Sequence, residues 1–266
     1  MRHGTIAPVL TPQGSSEPAA PTRLAIVIAA GAGHRLRRSS DDDLVIKPMT
    51  PLLGVPLVVR TLMTLRDGGV AQAVVVTGYR ADEIESALER EERLAPMAVL
   101  FARNPAWQGQ NGLSVLAARA AVDGRAFLLS MADHVYSGEI VRRLLAAPRS
   151  SDELLLAVDR RSPESPDLDD ATLVRLDAHD RITDIGKGLP HHDAIDTGVF
   201  LGDTALFRAL EQEARVRGGD CSLSDGVRRL ARAGLARGVD VGDSWWHDVD
   251  TRADLARAER CLVGRP

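Results

Sequence analysis

The sequence predicts an α/β protein whose core is a doubly wound, mixed but mainly parallel sheet. Through residues 24–147, apolar segments of strand length alternate with segments of helical periodicity. That alternation is typical of β-α-β units, and therefore of parallel strands. The apolar runs have no polar face, as expected of strands that helices cover on both sides. After residue 152 the pattern changes, and closely spaced strand segments follow one another.

Each element is predicted from its local pattern. Apolar runs predict strands at residues 24–30, 72–78, 97–105, 125–133, 153–159 and 194–203, with two more strands inside 172–187. Apolar residues at helical spacing predict helices at 55–68, 81–93, 111–122, 137–147, 204–216 and 222–235, and from Thr251 to the end. The turn between the two strands of 172–187 is predicted at Ala178-His179-Asp180.

The composition predicts one large packed domain. The 266 residues are 44% hydrophobic and 26% charged, and we place the domain at 23–266. Residues 1–22 are rich in Pro, Ser, Gly and Ala and are predicted to be a flexible tail. The Pro- and Asp-rich residues 160–170 are predicted to be a surface loop.

Charge, hydropathy and cysteine content exclude several classes of protein. A net charge of −4 without a long basic run argues against nucleic-acid binding. No apolar stretch reaches the roughly 20 residues that a membrane span needs. The two cysteines form no CxxC pair, which favours a reducing, cytoplasmic compartment.

A glycine-rich loop follows the first predicted strand, in the sequence AIVIAAGAGHRLRR. Glycines between a buried strand and a helix let backbone N–H groups approach phosphates. Gly31 and Gly33 are followed by Leu36 where a dinucleotide-binding fingerprint needs a third glycine, and no Walker A lysine follows. The cations Arg35 and Lys47 come next, which suits a nucleoside triphosphate better than a dinucleotide. The alternative is a plain strand-to-helix turn with surface charges.

Three aspartates are candidate metal ligands. The run FLLSMADHVY brings Asp133 to the carboxyl end of a predicted strand, where open α/β sheets bind ligands. In WWHDVDT, Asp248 and Asp250 alternate along an extended segment and therefore share a side. Carboxylates so placed can hold Mg²⁺ against a phosphate. In the alternative, Asp133 is a turn residue, and Asp250 or Thr251 only caps the last helix.

Polar side chains also gather at the start of the helix predicted at 111–122. They are Gln108, Gln110, Asn111 and Ser114. Amide and hydroxyl groups there can read the edge of a base by hydrogen bonds. The equally weighted alternative is a capped helix with no ligand.

The glycine-rich loop and the residues that follow it resemble those of a known superfamily. AIVIAAGAGHRL followed by IKPMTPLLGVPLV is similar to the opening LAAGxGxRL…KP of sugar nucleotidyltransferases. Within them, NPAWQGQNGLS, SMADHVYSGEI, IGK…DTG and WWHDVDT resemble the family of CTP:inositol-1-phosphate cytidylyltransferases, over about residues 24–260. The resemblance implies a Rossmann-like, GT-A-like fold. It also implies a Mg²⁺-dependent reaction that joins CTP to a phosphorylated polyol and releases pyrophosphate. The first choice for the polyol is inositol 1-phosphate.

The resemblance assigns roles residue by residue. The implied catalytic residues are Arg35, Lys47, Asp133 and Lys187. The implied nucleotide-binding residues are Ala29, Ala30, Gly31, Ala32, Gly33, His34, Arg35, Lys47, Gln108, Asn111, Gly112, Ser114 and Ala132. The implied acceptor-binding residues are His134, Lys187, Asp196, Thr197 and Gly198. The implied metal ligands are Asp133, Asp248 and Asp250, with Asp248 preferred over Asp250.

Other functions stay open on the sequence alone. The acceptor could be phosphocholine or an aminoalkylphosphonate, or the chain could transfer a guanylyl or uridylyl group to another cyclitol or sugar phosphate. With aromatics at 3%, a choline cage would use nearly all suitable residues, Trp245, Trp246 and Tyr136. From other classes, a silent nucleotide-binding regulatory homologue would need no metal pair, and an NAD(P) enzyme is disfavoured by Leu36. Many family members are fused to a membrane domain that consumes the product, so a separate transferase is expected here. A homodimer is left open.

Overall fold

The structure is a computed structural model that describes residues 22–33, 46–161 and 170–264. The tail predicted at 1–22 lies outside these ranges except for its last residue. The loop predicted at 160–170 lies outside them except at its two ends.

Strands and helices alternate along the described chain. The strands are β1 (Leu24–Ile28), β2 (Pro51–Leu52), β3 (Val55–Pro56), β4 (Gln72–Thr77), β5 (Ala98–Arg103), β6 (Phe127–Met131), β7 (His134–Tyr136), β8 (Leu154–Asp159), β9 (Leu173–Leu176), β10 (Ile182–Gly186), β11 (Ala194–Gly202), β12 (Ala236–Asp240) and β13 (Trp246–Asp248). The α-helices are α1 (Leu57–Asp67), α2 (Ala81–Glu89), α3 (Asn111–Ala117), α4 (Arg119–Val122), α5 (Gly138–Ala146), α6 (Thr204–Val216), α7 (Leu223–Arg232) and α8 (Arg252–Val263). Short 3₁₀ turns lie at Lys47–Met49 and Glu92–Leu94.

Nine of the described strands form one mixed sheet. Its order is β10-β9-β11-β6-β1-β4-β5. β8 also pairs with β11, and β12 pairs with β8. β1 is parallel to β4 and β6, and β4 is parallel to β5. β11 is antiparallel to β6, β8 and β9, whereas β12 is parallel to β8. The prediction of a mixed sheet with a parallel first half is confirmed.

Hydrophobic side chains cover both faces of this sheet, as a doubly wound fold requires. On one face Ile26 and Val74 pack with residues of α3, α6 and α7. On the other face Ala25, Val27 and Val75 pack with residues of α1 and α5. Because both faces are covered, the edge formed by the carboxyl ends of β1, β4 and β6 is where a ligand can enter.

Several predicted elements have other bounds in the structure, and two of these differences change the sheet or its edge. The strand predicted at 125–133 ends at Met131, and the chain turns into β7, which pairs with β13 in a separate antiparallel ribbon. The helix predicted to reach residue 235 ends at Arg232, because Gly234 adopts a φ of +71° and the chain continues as β12. β12 was missed, since its polar sequence ARGVD lacks an apolar pattern. Within the described ranges, no helix has the length and hydropathy of a membrane span.

Candidate active site

The loop after β1 forms one wall of a cavity at the carboxyl edge of the sheet. The cavity has a volume of about 310 Å³ and is lined by Ile28, Ala29, Gly31, Gly33, Lys47, Pro48, Ala132, Asp133 and Asp250. Gly33 adopts a φ of +62°, and a Cβ there would lie 2.4 Å from the Cβ of Lys47. Glycine is therefore required for the loop to approach Lys47 this closely. Ala30 and Ala32 are buried in the same loop, whereas His34 and Arg35 lie outside the described residues.

Lys47 joins two of the predicted metal ligands. Its Nζ lies 2.5 Å from Asp133 Oδ2 and 2.5 Å from Asp250 Oδ1. Burial lowers the pKa of Lys47, but the carboxylates of Asp133, Asp248 and Asp250 outweigh it and raise the pKa above its usual value. The buried ammonium group therefore stays charged at the floor of the cavity.

The β7–β13 ribbon brings Asp248 and Asp250 close to Asp133. His134 lies directly opposite Asp248 in the ribbon, and the Asp133 carbonyl accepts a hydrogen bond from Val249 N at 3.0 Å. Thr251 caps α8 in a capping box with Asp254. Helix capping is thus performed by Thr251, and the carboxylate of Asp250 is bound by Lys47 instead.

His134 is held in one orientation by β11. Its Nδ1 lies 2.8 Å from the carbonyl oxygen of Thr197, which can only accept, so Nδ1 donates. A Cβ at Gly198 would lie 2.2 Å from that nitrogen, so the predicted Gly198 provides room for the ring. The other nitrogen, Nε2, lies 3.6 Å from Asp248 Oδ1 and 3.8 Å from Asp133 Oδ1.

The charges around His134 shift its titration and that of Asp248. Burial lowers the pKa of His134, but the Asp248 and Asp133 carboxylates outweigh it and raise the pKa to about 10. Burial likewise raises the pKa of Asp248, but the neighbouring His134 outweighs it and holds the pKa well below its usual range. Ligand atoms of Asp133, His134 and Asp248 lie within 4.8 Å of one another, close enough to share one metal ion.

The other predicted acceptor residues are placed differently. Asp196 accepts a hydrogen bond from Gly198 N at 2.7 Å, and burial raises the pKa of its carboxyl to about 6. The Thr197 hydroxyl is buried and donates to the Ala157 carbonyl at 2.8 Å, so its side chain serves the sheet. Lys187 follows β10 at the same edge of the sheet, where its exposed ammonium pairs with Asp170.

The stretch predicted to read the base is held by bonds within the protein. Asn111 Oδ1 accepts from Leu223 N at 2.8 Å, and Ser114 Oγ accepts from the buried Asn104 Nδ2 at 3.0 Å. A Cβ at Gly112 would lie 2.5 Å from the Cys221 carbonyl oxygen, so glycine is required by the packing. Gln108 is exposed at the surface. These contacts favour the interpretation of this stretch as a structural helix start.

One group of residues at the site was missed from the sequence. The Trp246 ring stacks on His134 with centroids 6.3 Å apart, and its Nε1 donates to Asp159 Oδ2 at 2.9 Å. Asp159 in turn accepts from Arg161, whose Nη2 also bonds the Ser244 carbonyl at 2.7 Å. The position of Asp159 at the end of a predicted strand was the one available signal. This network fixes the ribbon that carries Asp248.

A cavity enclosed by a glycine-rich loop and walled by a lysine among aspartates, at this edge of such a sheet, defines a nucleotidyltransferase. The chain belongs to the family described as the MobA-like NTP transferase domain, which matches residues 25–229. The superfamily predicted from the sequence is thereby confirmed.

Individual relatives agree with this family. The chain is 37% identical over 243 residues to a "Bifunctional IPC transferase and DIPP synthase" of Rubrobacter xylanophilus, covering 90% of this chain and 52% of the relative. It is 33% identical over 259 residues to a "CMP-5'-(3-aminopropyl)phosphonate synthase" of Streptomyces rubellomurinus, covering 91% and 39%. The chain thus spans about half, or less, of the length of these curated relatives. Among solved structures, the inositol-1-phosphate CTP transferase from T. maritima matches with a TM-score of 0.78 at 27% identity, covering 92% of this chain and 96% of that one.

Proposed function

We propose that this chain is a Mg²⁺-dependent cytidylyltransferase that joins CTP to inositol 1-phosphate, releasing pyrophosphate. The observation that carries the reaction class is the cluster of Lys47, Asp133 and Asp250 on the wall of the loop cavity. The choice of cytidine rests on the relatives, because two of them are named for CTP or CMP. The inositol acceptor rests on the T. maritima structure, which matches nearly the full length of both chains.

The residues present fit a divalent cation. Asp248 Oδ1 is buried and, within the described chain, has no hydrogen-bond partner. A buried unpaired carboxylate oxygen is costly unless a cation satisfies it. Asp133 and Asp248 would hold the ion, with Asp250 beside them, and oxygen ligands of this kind suit Mg²⁺. When bound, the ion supplies charge neutralisation at the phosphates.

The chain's own residues then orient two phosphates for an in-line displacement. The loop at Gly31 and Gly33 presents backbone N–H groups to the triphosphate. Lys47, fixed by two carboxylates, supplies a positive charge that needs no reorganisation as charge develops on the leaving pyrophosphate. An oxygen of the acceptor phosphate attacks the α-phosphorus, and the bond to pyrophosphate breaks. No side-chain nucleophile is required, so catalysis consists of positioning and electrostatics.

Lys187 is proposed to meet the acceptor phosphate. Only Lys47 and Lys187 are lysines among the 33 basic residues of the chain. Arginine and lysine are not interchangeable, since an ammonium group is a compact point charge with three donors. The use of lysine at two positions predicted to meet phosphates, in a chain that otherwise uses arginine, supports this role. Lys187 must then exchange its ion pair with Asp170 for the substrate.

The aromatic residues argue against phosphocholine. A cage for a quaternary ammonium group needs several open aromatic faces. Tyr136 is 2% exposed, and its hydroxyl bonds Ser130. Trp245 packs with the small cluster under α8 and lines one cavity with Tyr136. Trp246 packs with the sheet face that α1 and α5 cover and does not line that cavity. The three rings therefore do not form one cage, and a polyol phosphate fits the site better.

An aminoalkylphosphonate is the second candidate acceptor. The Streptomyces relative, which is named for an aminopropylphosphonate, is 33% identical to this chain. A phosphonate has the same attacking oxygens as a phosphate, so the proposed roles of Lys47, Asp133 and Lys187 would not change. A cytoplasmic location is also proposed, supported by the two free cysteines, Cys221 and Cys261.

The experiment that tests the function is a matrix of pyrophosphate release with Mg²⁺. Four nucleoside triphosphates are combined with inositol 1-phosphate, glucose 1-phosphate, phosphocholine, 2-aminoethylphosphonate and 3-aminopropylphosphonate. We expect turnover with CTP and inositol 1-phosphate. Turnover only with a phosphonate would select the second candidate, and nucleotide binding without any turnover would indicate a regulatory homologue.

A further inference from the structure

The feature that the proposed reaction does not use is the second nitrogen of His134. The imidazole is buried, with 14% of its side chain exposed, and Nδ1–H donates to the Thr197 carbonyl. Nε2 lies between one oxygen of Asp133 and one oxygen of Asp248, at 3.8 Å and 3.6 Å. Both distances are longer than an ordinary hydrogen bond, so the attraction between the charged ring and the two carboxylates is mainly electrostatic.

The two distances from Nε2 to the carboxylate oxygens are those between ligands around one ion. Metal–ligand bonds of about 2.1 Å place neighbouring donors about 3 Å apart and opposite donors about 4.2 Å apart. The two distances at His134 fall within that range. Asp248 Oδ1, one of the two oxygens, is the buried atom with no partner in the described chain.

The contacts that orient the His134 ring are also those of a metal-binding histidine. A histidine that binds a metal commonly donates its other ring N–H to a backbone carbonyl, which fixes the tautomer and the ring plane. Thr197 supplies that carbonyl, and Gly198, at a φ of +76°, leaves the space for the ring. Trp246 stacks on the ring, and its own N–H is held by Asp159.

The two carboxylate oxygens of Asp133 face different groups of residues. Oδ2 binds Lys47, which also binds Asp250, whereas Oδ1 faces His134 and Asp248. A cation on the Oδ1 side would leave the Lys47 contacts in place. We propose that His134 Nε2 releases its proton to solvent when a divalent cation binds and becomes a third protein ligand of that cation, together with Asp133 and Asp248.

A nitrogen ligand changes the preference of the site among metals. Mg²⁺ favours oxygen donors, whereas first-row transition ions such as Mn²⁺ and Co²⁺ accept imidazole readily. The site should therefore bind Mn²⁺ more tightly than Mg²⁺, and part of that preference should depend on His134. This inference rests on the proposed function for the presence of a cation.

The test is electron spin-echo spectroscopy of the full chain loaded with Mn²⁺, alone and with CTP. A coordinated imidazole gives a ¹⁴N modulation of the echo, and we expect it in the wild-type protein. His134→Asn keeps an amide nitrogen near the position of Nδ1 to bond Thr197 but removes Nε2, so the modulation should vanish. Mn²⁺ affinity should fall at least about tenfold in that variant. His134→Gln, the second variant, should lose the ¹⁴N modulation as well.

The matched control is His247→Asn. His247 precedes Asp248 on β13, so its side chain lies on the opposite face of the ribbon, near Trp245. The modulation should be unchanged in this control. Mn²⁺ bound without a ¹⁴N modulation, a modulation that survives in His134→Asn, or no Mn²⁺ binding would each overturn the inference. A protein that shows the modulation but releases no pyrophosphate would contradict the proposed function alone.

Discussion

Two polar stretches of this chain look alike in the sequence but have different partners in the structure. Residues 104–114 and 244–251 each lead into a helix and carry closely spaced polar side chains. In the first stretch, Asn111 and Ser114 accept hydrogen bonds from Leu223 N and Asn104 Nδ2. In the second, Asp250 is bound by Lys47, and Asp248 has a buried oxygen without a partner in the described chain.

The difference comes from what each stretch packs against. The first packs on the loop before α7. The first backbone N–H groups of that helix need acceptors, and Asn111 supplies one of them to Leu223 N. The second lies in a ribbon at the open edge of the sheet, opposite the end of β6. Polar side chains are available to a ligand only where the fold does not use them itself.

Asp133→Asn has the largest expected effect, because it tests the site at which Asp248 and Asp250 of the second stretch meet Asp133. The amide keeps the shape of the side chain but removes the charge that faces both Lys47 and the proposed cation, so kcat should fall about 10³-fold or more. The melting temperature should stay near that of the wild type. The matched control is Asp123→Asn at an exposed turn residue with a φ of +49°, where asparagine is well tolerated. A near-normal rate in Asp133→Asn would remove this residue from the site.

Lys47→Met should have the next largest effect. Methionine retains the apolar stem that packs against Gly33 but leaves Asp133 and Asp250 without their shared cation. We expect kcat to fall about 10²-fold, the size expected for one lost electrostatic contact in the transition state. Steady-state kinetics at saturating CTP measures this. A change confined to the KM of the acceptor would show that Lys47 contacts the acceptor phosphate rather than the triphosphate.

Lys187→Ala should raise the KM of the acceptor about tenfold and change kcat less, since a contact made equally in the ground and transition states is lost. Lys187→Arg is the matched variant, because it keeps the charge but not the compact ammonium group. In the wild type, inositol 1-phosphate should also protect Lys187 from acetylation, followed by mass spectrometry. A selective rise in the KM of CTP would contradict the proposed role.

Ser114→Ala should have the smallest effect on activity. It distinguishes a first stretch that reads the base from one that only begins a helix. Removal of the hydroxyl leaves the buried Asn104 donor without its acceptor, so the free energy of unfolding should fall by about 1–3 kcal/mol. The KM of CTP should stay within about twofold of the wild type, as for a residue without substrate contact. Urea denaturation and kinetics on the same preparation measure both. A raised KM of CTP at unchanged stability would show that Ser114 reads the base.

Much of the fold was predictable because it follows from local apolar patterns. β1, β4 and β6 are continuous apolar runs, and the alternation with helices predicted their parallel pairing. β12 was not predictable, because its pairing with β8 depends on tertiary contacts rather than on its own sequence.

The candidate site was predictable in part for the same reason. The end of an apolar strand marks the sheet edge and identified Asp133. Lys47 was identified as a cation after the glycine-rich loop, and Asp248 and Asp250 from their alternation along an extended segment. The orientation of His134 was not predictable, because it depends on a carbonyl of β11, which lies 63 residues further along the chain. The use of Asn111 by α7 likewise depends on a contact across 112 residues.

The most direct test of the central claim, nucleotidyl transfer at the Asp133 cluster, is ³¹P NMR of one reaction. Wild-type protein and Asp133→Asn are each mixed with CTP, inositol 1-phosphate and Mg²⁺. The account predicts equal amounts of pyrophosphate and CDP-inositol with the wild type, and neither product with the variant. Equal product formation by both proteins would contradict it, since transfer would then occur without the carboxylate that joins Lys47 to the proposed cation.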